Sequence, residues 1–273
     1  MLSRTERALS STILLVIAIA TLYPIAVLVT TSFAKVSANS PGISFFKSFS
    51  FSSFSYAWNQ GGFSQYTVHT AIMTVSVVVL SVIIAVVAAY AVALLKPLGG
   101  RILFYAAILG FMLPVEVLIT PWFYELRSFG WLNTYAALII PQTAQSIAFG
   151  IFWMNSAFLA VPSELTEAAV LDGGSRVDVF RMVLLPNVMP AVKTMAALVF
   201  LWTWNAFLLP LVLVSSPSLF VVTEGLSNFQ GAHFSNYGAL AAGSVLAALP
   251  VVLVYLVSQR SFISGMFAGS TVG

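Results

Sequence analysis

Residues that could carry out acid–base or metal chemistry are few and scattered in this sequence. Glu116 is an isolated carboxylate in a long apolar run, between Pro114 and Pro121. His69 and His233 are the two histidines, and the chain has no cysteine to supply a thiolate ligand. A membrane-embedded enzyme needs several acids, bases or metal ligands gathered at one depth. The sequence therefore predicts no catalytic residue and no metal site.

A few positions, Glu116 again among them, suit contact with a small polar solute. A carboxylate in an apolar span is costly to bury, so Glu116 should face either a water-filled path or a hydrogen-bonding neighbour that makes it a strut between helices. Trp204 and Asn205 combine an aromatic plane with an amide, which suits sugar rings and their hydroxyls, and Trp202 adds a second aromatic plane in the same span. Ordinary helix packing with an interhelical hydrogen bond is the alternative for this pair.

The elements that hold these residues are predicted to be membrane-spanning helices. The 273-residue chain is 60% hydrophobic with only 7% charged residues, and its mean hydropathy is +1.00. A helix needs about 20 apolar residues to cross the hydrocarbon core. Six runs meet this requirement, at about 11–33, 67–95, 102–123, 135–159, 191–214 and 238–258. We predict an all-α integral membrane protein forming one transmembrane domain over residues 1–273, its first span retained rather than cleaved as a signal.

Basic residues predict the orientation of these spans. Six spans place both termini on one side, and eight of the eleven lysines and arginines fall on that side: Arg4, Arg7, Lys96, Arg101, Arg176, Arg181, Lys193 and Arg260. Because cytoplasmic loops are enriched in such residues, both termini are predicted to be cytoplasmic. The connection 160–190 is then the longest internal cytoplasmic segment, and 259–273 is a cytoplasmic tail.

That connection is unusually polar for this chain. It contains the stretch EAAVLDGGSRVDVFRMVLLP, residues 167–186. A short helix is expected to begin near Ser163 and to stop at Gly173-Gly174, because glycine tolerates the left-handed conformation that ends helices. A capping box of Ser175 with Asp178 predicts a second helix, which Pro186 and Pro190 should end before the fifth span. From spacing alone, this could be a docking segment or an amphipathic surface loop without a special role.

The detailed pattern of this stretch closely resembles the EAA signature of permease subunits in bacterial ABC importers. The matching positions are Glu167-Ala168-Ala169, Asp172-Gly173, Val183 and Leu185-Pro186. Further stretches resemble the smaller, second permease of the maltose-type carbohydrate family: AAYAVALLKPLGGR, LRSFGWLNTYAALIIP, WNAFLLPLVL and QRSFISGMFAGSTVG. Departures from the family pattern are Gly174 for alanine, Val183 for isoleucine, Ala206 for an acidic residue, and a tail without its usual basic residue.

The resemblance implies a type I ABC importer permease fold in the bacterial cytoplasmic membrane, with no cofactor on this chain. The implied partners are a second permease, two copies of a cytoplasmic ATPase that binds ATP and Mg²⁺, and an extracytoplasmic solute-binding protein, with no nucleic acid. The EAA segment would be the coupling helix. We expect ATPase-coupling roles for Glu167, Ala168, Ala169, Asp172, Gly173, Phe180, Leu185 and Pro186, and a translocation path that includes Glu116, Trp204 and Asn205.

The substrate implied by the resemblance is a sugar or oligosaccharide. Glycerol phosphate, a glycerophosphodiester or an amino sugar are alternatives within the same importer class. An ion-coupled secondary transporter, which usually shows inverted repeats and several embedded ionisable groups, is a different class and is disfavoured because neither feature is evident.

Overall fold

The computed structural model describes residues 4–34, 49–230 and 236–268, with side chains for 9–34, 49–230 and 236–259, and over these residues the chain is helical. We number the principal helices in chain order: α1 Arg4–Ser32, α2 Phe63–Leu95, α3 Gly100–Met112, α4 Val115–Ser128, α5 Tyr135–Leu159, α6 Ser163–Leu171, α7 Arg176–Trp204, α8 Leu208–Leu213 and α9 Tyr237–Ala268. One-turn helices at Ser52–Ser55 and Val222–Gly225 stand between them.

Within the described residues, five helical segments are long and apolar enough to cross a membrane, or six if α3 and α4 form one broken span. Four of them, Leu9–Ser32, Phe63–Leu95, Tyr135–Leu159 and Tyr237–Gln259, lie within four residues of spans predicted from the sequence. The third and fifth predicted spans differ from what the structure shows.

The third predicted span, 102–123, is broken rather than continuous. Helices α3 and α4 meet at an angle of 101°. Leu113 is extended there, with ψ at 123°, and Pro114 follows with ψ at 136°. The ring of a proline disfavours the helical conformation of the residue before it, so Pro114 ends α3 at Met112. Pro121, by contrast, is accommodated inside α4.

The fifth predicted span, 191–214, begins earlier and ends earlier than expected. Helix α7 continues from Arg176 through Pro186 and Pro190 to Trp204, so the two prolines do not interrupt it. The stretch Val179–Leu184 is wound as a π-helix, and the side-chain amide of Asn187 donates to the carbonyl of Val183 at 2.7 Å. Pro186 lacks the amide that would serve Met182 four residues earlier, and π winding just before it is a local adjustment of the kind that accommodates such a gap. The coupling segment predicted at 160–190 thus merges with the membrane helix.

By their internal contacts, the residues form two units, 1–67 with 222–249 and 68–221 with 250–273. In the first unit, Phe63 is fully buried and stacks on Phe229 with ring centroids 5.6 Å apart. Asn228 donates to the hydroxyl of Tyr66 at 3.0 Å. A Cβ on Gly243 would lie 2.9 Å from the Phe63 ring, so a residue without a side chain is needed at this close approach.

The second unit is organised around α5. Its core is formed by apolar side chains of α2, α5 and α7, among them Ala85, Phe158 and Met195. Gly150 lets these helices approach closely, since a Cβ there would lie 2.2 Å from Met195 and 2.5 Å from Ala85. The indole of Trp153 donates to the carbonyl of Ala191 at 3.0 Å, which links α5 to α7. Both functional regions described next are built on these two helices.

Candidate functional site

Helix α6 projects from the second unit without burying any residue completely. Its last turn carries two large apolar side chains in the open, Val170 at 60% exposure and Leu171 at 87%. Ser163 is the first helical residue rather than the predicted cap, because Pro162 occupies the cap position. Apolar groups left exposed on a polar surface segment are typical of a docking surface.

Two glycines end α6 in different ways. Gly173 has φ at +86° and open space around it, so its role is the left-handed turn. Its amide donates to Val170 and that of Gly174 to Ala169, at 3.0 and 2.9 Å, which closes the helix as a Schellman motif. A Cβ on Gly174 would lie 2.7 Å from the Ala169 oxygen. In this backbone conformation, a side chain at 174 would require the Ala169 carbonyl to shift.

The predicted capping box then starts α7. The Ser175 amide donates to a carboxylate oxygen of Asp178 at 3.0 Å, and the Asp178 amide donates back to the Ser175 hydroxyl at 3.3 Å. This pairing satisfies two of the amides that a helix start leaves open. The chain therefore turns sharply between α6 and α7 through a hydrogen-bonded junction.

The π-helical stretch of α7 connects this junction to the bundle. The Phe180 ring lies 4.7 Å from the Tyr90 ring and 6.4 Å from the Phe158 ring, between centroids. Leu185 and Ala169 are half-buried against the same core. The remaining predicted coupling residues Glu167, Ala168, Asp172 and Pro186 are exposed. The structure thus gathers the predicted coupling residues into one segment with an exposed side and a side packed on α2 and α5.

A cavity of about 380 Å³ lies where two membrane helices are broken. Phe111 and Val115 reach it from the α3–α4 break, while Ala206 and Phe207 reach it from the break between α7 and α8. Irregular backbone at membrane depth is tolerated where it is buried in protein or lines a water-filled cavity. Two breaks at one cavity are the arrangement expected of a solute path.

The cavity wall from α5 is polar, with Gln142, Gln145 and Ser146 facing the space beside Phe149. Gln142 and Ser146 are one helical turn apart, which places them on the same face of α5. Across the cavity, α7 contributes Trp202. The sequence pattern singled out Trp202 but not the glutamines, although polar side chains at that spacing in an apolar run were the available signal.

The three predicted path residues lie near this cavity in sequence but do not line it. Glu116 is exposed in the first turn of α4, one residue after the cavity-lining Val115. Trp204 is buried and stacks on Phe200 with centroids 5.5 Å apart. Asn205 donates its side-chain amide to the carbonyl of Leu201 at 2.8 Å, which caps the end of α7. Their role in a path stays a prediction.

Over the part of the chain that the structure describes, no group of three histidine, aspartate or glutamate side chains is placed to hold a metal ion. The Nδ1 atom of His69 lies 3.2 Å from the carbonyl of Phe220. His233 lies outside the described residues, as do the predicted departures at 271–273 in the tail.

Asn133 is a residue that the sequence did not single out. It adopts φ at +59°, and its side-chain oxygen accepts hydrogen bonds from the Ser215 amide at 2.7 Å and the Ser216 amide at 3.0 Å. The backbone amide of Asn133 donates to the carbonyl of Leu213 at 3.2 Å. One side chain therefore ties the α4–α5 turn to the segment after α8, and both helices α5 and α8 line the cavity.

Comparisons with known proteins agree with this architecture. Residues 81–267 match the family model described as "Binding-protein-dependent transport system inner membrane component". The diacetylchitobiose uptake system permease protein NgcG of Streptomyces coelicolor is 32% identical over 81% of this chain and 74% of its own length. The arabinooligosaccharides transport system permease protein AraQ of Halalkalibacterium halodurans is 33% identical over 74% of this chain and 71% of its own.

A solved structure shares the fold. One chain of a bacterial ABC transporter involved in the import of the acidic polysaccharide alginate superposes with a TM-score of 0.82, at 22% identity, over 95% of this chain and 98% of that chain. Together with the apolar spans, the match over most of the chain shows a multi-pass inner membrane protein and a transport component rather than an enzyme. The chain belongs to the family of binding-protein-dependent transport system inner membrane components, the permeases of ABC importers.

Proposed function

We propose that this permease takes up a sugar or oligosaccharide by ATP-driven alternating access, and that α6 with its flanking turns is the coupling helix that docks on the ATPase. The observation that carries the proposal is the exposed apolar end of α6, where Leu171 is 87% exposed beside the carboxylate of Asp172. Leucine exposed at a helix end, flanked by acidic side chains, fits a cleft with an apolar floor and a basic rim.

The path from this surface to the cavity is continuous. Helix α7 starts at the α6 junction, packs Phe180 against Tyr90 and Phe158, and ends with Trp202 at the cavity. Helix α5 likewise carries Phe158 near the coupling segment and Phe149 at the cavity. Because a helix transmits displacement as a rigid element, a push on α6 would move both walls of the cavity.

The relatives support a saccharide as the substrate class. The two proteins compared above are named for diacetylchitobiose and arabinooligosaccharides. The substrate proposal depends on this likeness and is distinct from the coupling proposal, which depends on geometry. Glycerol phosphate, a glycerophosphodiester and an amino sugar are the competing substrates.

An ABC importer permease works in a complex with an ATPase and a solute-binding protein. This sequence contains no G-x-x-x-x-G-K-[ST] phosphate loop, so we assign ATP and Mg²⁺ to the ATPase partner. We propose a second permease in the complex, since a cavity built at helix breaks needs a facing wall to form a closed path. Two ATPase copies are proposed from the resemblance to the importer family alone.

The coupling role is tested with Leu171→Cys, which gives the cysteine-free chain one thiol at the exposed end of α6. In native membranes that contain the whole transporter, a thiol-to-amine cross-linker should join this site to a protein with a phosphate loop, identified by mass spectrometry. ATP should change the yield, because docking geometry changes as the ATPase closes.

The matched control is Ser128→Cys, an exposed position at the end of α4. It should give no ATPase adduct under the same conditions. An ATPase adduct at both sites, or at Ser128→Cys alone, would overturn the proposed docking surface. Uptake by the purified chain without ATP or partners would instead favour the secondary-transporter class.

A further inference from the structure

The cavity has an aromatic wall built from three helices. The Phe149 ring lies 4.8 Å from Trp202 at 71° and 5.3 Å from Phe111 at 44°, between centroids. Phe149 is buried, whereas Phe111 is 39% and Trp202 49% exposed, so two of the three rings leave area open to a ligand. Aromatic planes of this kind pack against the C–H faces of a pyranose ring.

The α5 wall beside Phe149 is polar, and Gln142 in this wall is held in place by hydrogen bonds. The Gln142 amide nitrogen donates to the carbonyl of Leu138 at 2.7 Å and to the sulfur of Met73 at 3.2 Å. These contacts settle the orientation of the amide, and its oxygen is left to accept from a hydroxyl. Gln145 is half-buried, and Ser146 lies one helical turn after Gln142 on the same face of α5. Hydrogen-bond donors and acceptors therefore line this side of the cavity.

Among the residues that the structure describes, no side chain lining the cavity carries a charge, since the remaining lining residues are Val115, Thr203, Ala206, Phe207, Leu208 and Leu209. A phosphate or an ammonium group placed here would lose its hydration without gaining an opposite charge, which is strongly unfavourable. A neutral polyol loses less, because amide and hydroxyl groups replace its water. The lining therefore separates neutral from charged solutes.

From this geometry we infer that the cavity is a binding site for one uncharged sugar unit and that this subunit itself selects against anionic and cationic solutes. The inference rests on the proposed function for its substrate class and adds direct contact by this chain. Aromatic stacking orients the ring, and the glutamines with Ser146 read its hydroxyls. Glycerol phosphate, glycerophosphodiesters and protonated amino sugars are excluded at this point of the path.

The test uses Ala206→Cys, at the cavity-lining break between α7 and α8, in the otherwise cysteine-free full chain within the intact transporter in membranes. Labelling by N-ethylmaleimide, an uncharged reagent, is timed with and without trehalose as the neutral probe. At a sugar concentration about ten times its Kd the rate should fall about tenfold, since only the unoccupied fraction reacts. Glycerol 3-phosphate and glucosamine at the same concentration should leave the rate unchanged.

Ser128→Cys is the control, and no solute should change its labelling. If Ala206→Cys does not react or does not assemble, Leu208→Cys lines the same cavity and is scored in the same way. Equal protection by glycerol 3-phosphate overturns the charge selection. If trehalose, N,N′-diacetylchitobiose and maltose all fail to slow the labelling, the proposed sugar site is wrong. Such a result would arise, for example, if a partner permease filled the cavity.

A charge exchange separates recognition from structure. Gln145→Glu keeps the side-chain shape, so a purely structural role would leave solute preference unchanged. We expect glucosamine to gain protection of Ala206→Cys in this background and trehalose to lose it, by about tenfold each way. These labelling measurements require neither ATP nor an ATPase. The coupling role of α6 can therefore be refuted while the sugar site is supported, and the sugar site can be refuted while the coupling role is supported.

Discussion

Gly173 and Gly174 show how far single residues could be predicted. The pair predicted a helix stop, and the capping box of Ser175 with Asp178 predicted the next start; both are seen. Which glycine supplies the turn and which supplies the close approach depends on the path of the backbone. The sequence pattern alone could not separate them, because both glycines satisfy the same rule.

At Gly173 the structure predicts a defect of coupling rather than of folding. Gly173→Ala forces a Cβ into a left-handed conformation at φ +86°, which costs about 1 kcal/mol. Because α6 buries no residue completely, the thermal midpoint of the transporter should hardly change. ATP-dependent uptake should fall about fivefold, the population change that such an energy produces.

Gly173→Asn is the matched variant, since asparagine visits the left-handed region readily and the position has open space. Its uptake should stay close to that of the unaltered protein. An equal loss in both variants would show that glycine is needed for contact with the ATPase rather than for its backbone conformation.

At the scale of helices, proline was the least reliable signal. Pro114 breaks a span at 101°, whereas Pro186 and Pro190 lie in a continuous helix. The difference lies in how the backbone adjusts: a π-helical stretch precedes Pro186 in α7, while Leu113 is extended before Pro114. Such compensation depends on neighbours in space, so prolines in the sequence predict a disturbance but not its form.

The Asn133 side chain is predicted to hold two cavity-lining elements in register. Asn133→Ala removes the acceptor for Ser215 and Ser216 and places a Cβ-only residue at φ +59°. We expect a loss of about 1 to 3 kcal/mol in local stability. Hydrogen exchange should show faster exchange of the amides of residues 129–134 and 214–216.

Asn133→Asp retains the acceptor oxygen and tolerates the left-handed conformation, so it should exchange like the unaltered chain. If Asn133→Asp exchanged as fast as Asn133→Ala, the amide itself rather than its acceptor oxygen would be the stabilising group, and the assigned contacts would be wrong.

For the whole molecule, composition was enough to predict an all-helical membrane protein with about six spans, because apolar runs of that length have few other uses. The cavity was not predictable in this way. It arises where breaks in two helices distant in sequence come together, at Leu113-Pro114 and at 205–207, beside the glutamines of α5. Of the residues singled out near the breaks, Trp202 lines the cavity, whereas Glu116, Trp204 and Asn205 do not, since helical rotation was unknown from the sequence.

Orientation in the membrane is the remaining property of the whole molecule that the charges predict. Basic residues concentrated on one side place α6 and the end of α9 in the cytoplasm and Ser128 outside. Single cysteines at Ser128 and at Gln259, both exposed, report the two sides. In intact cells, a membrane-impermeant maleimide should label Ser128→Cys and spare Gln259→Cys, with both labelled after permeabilisation. The opposite pattern would place the exposed leucine of α6 outside the cell, away from any ATP, and would contradict the proposed coupling together with the orientation.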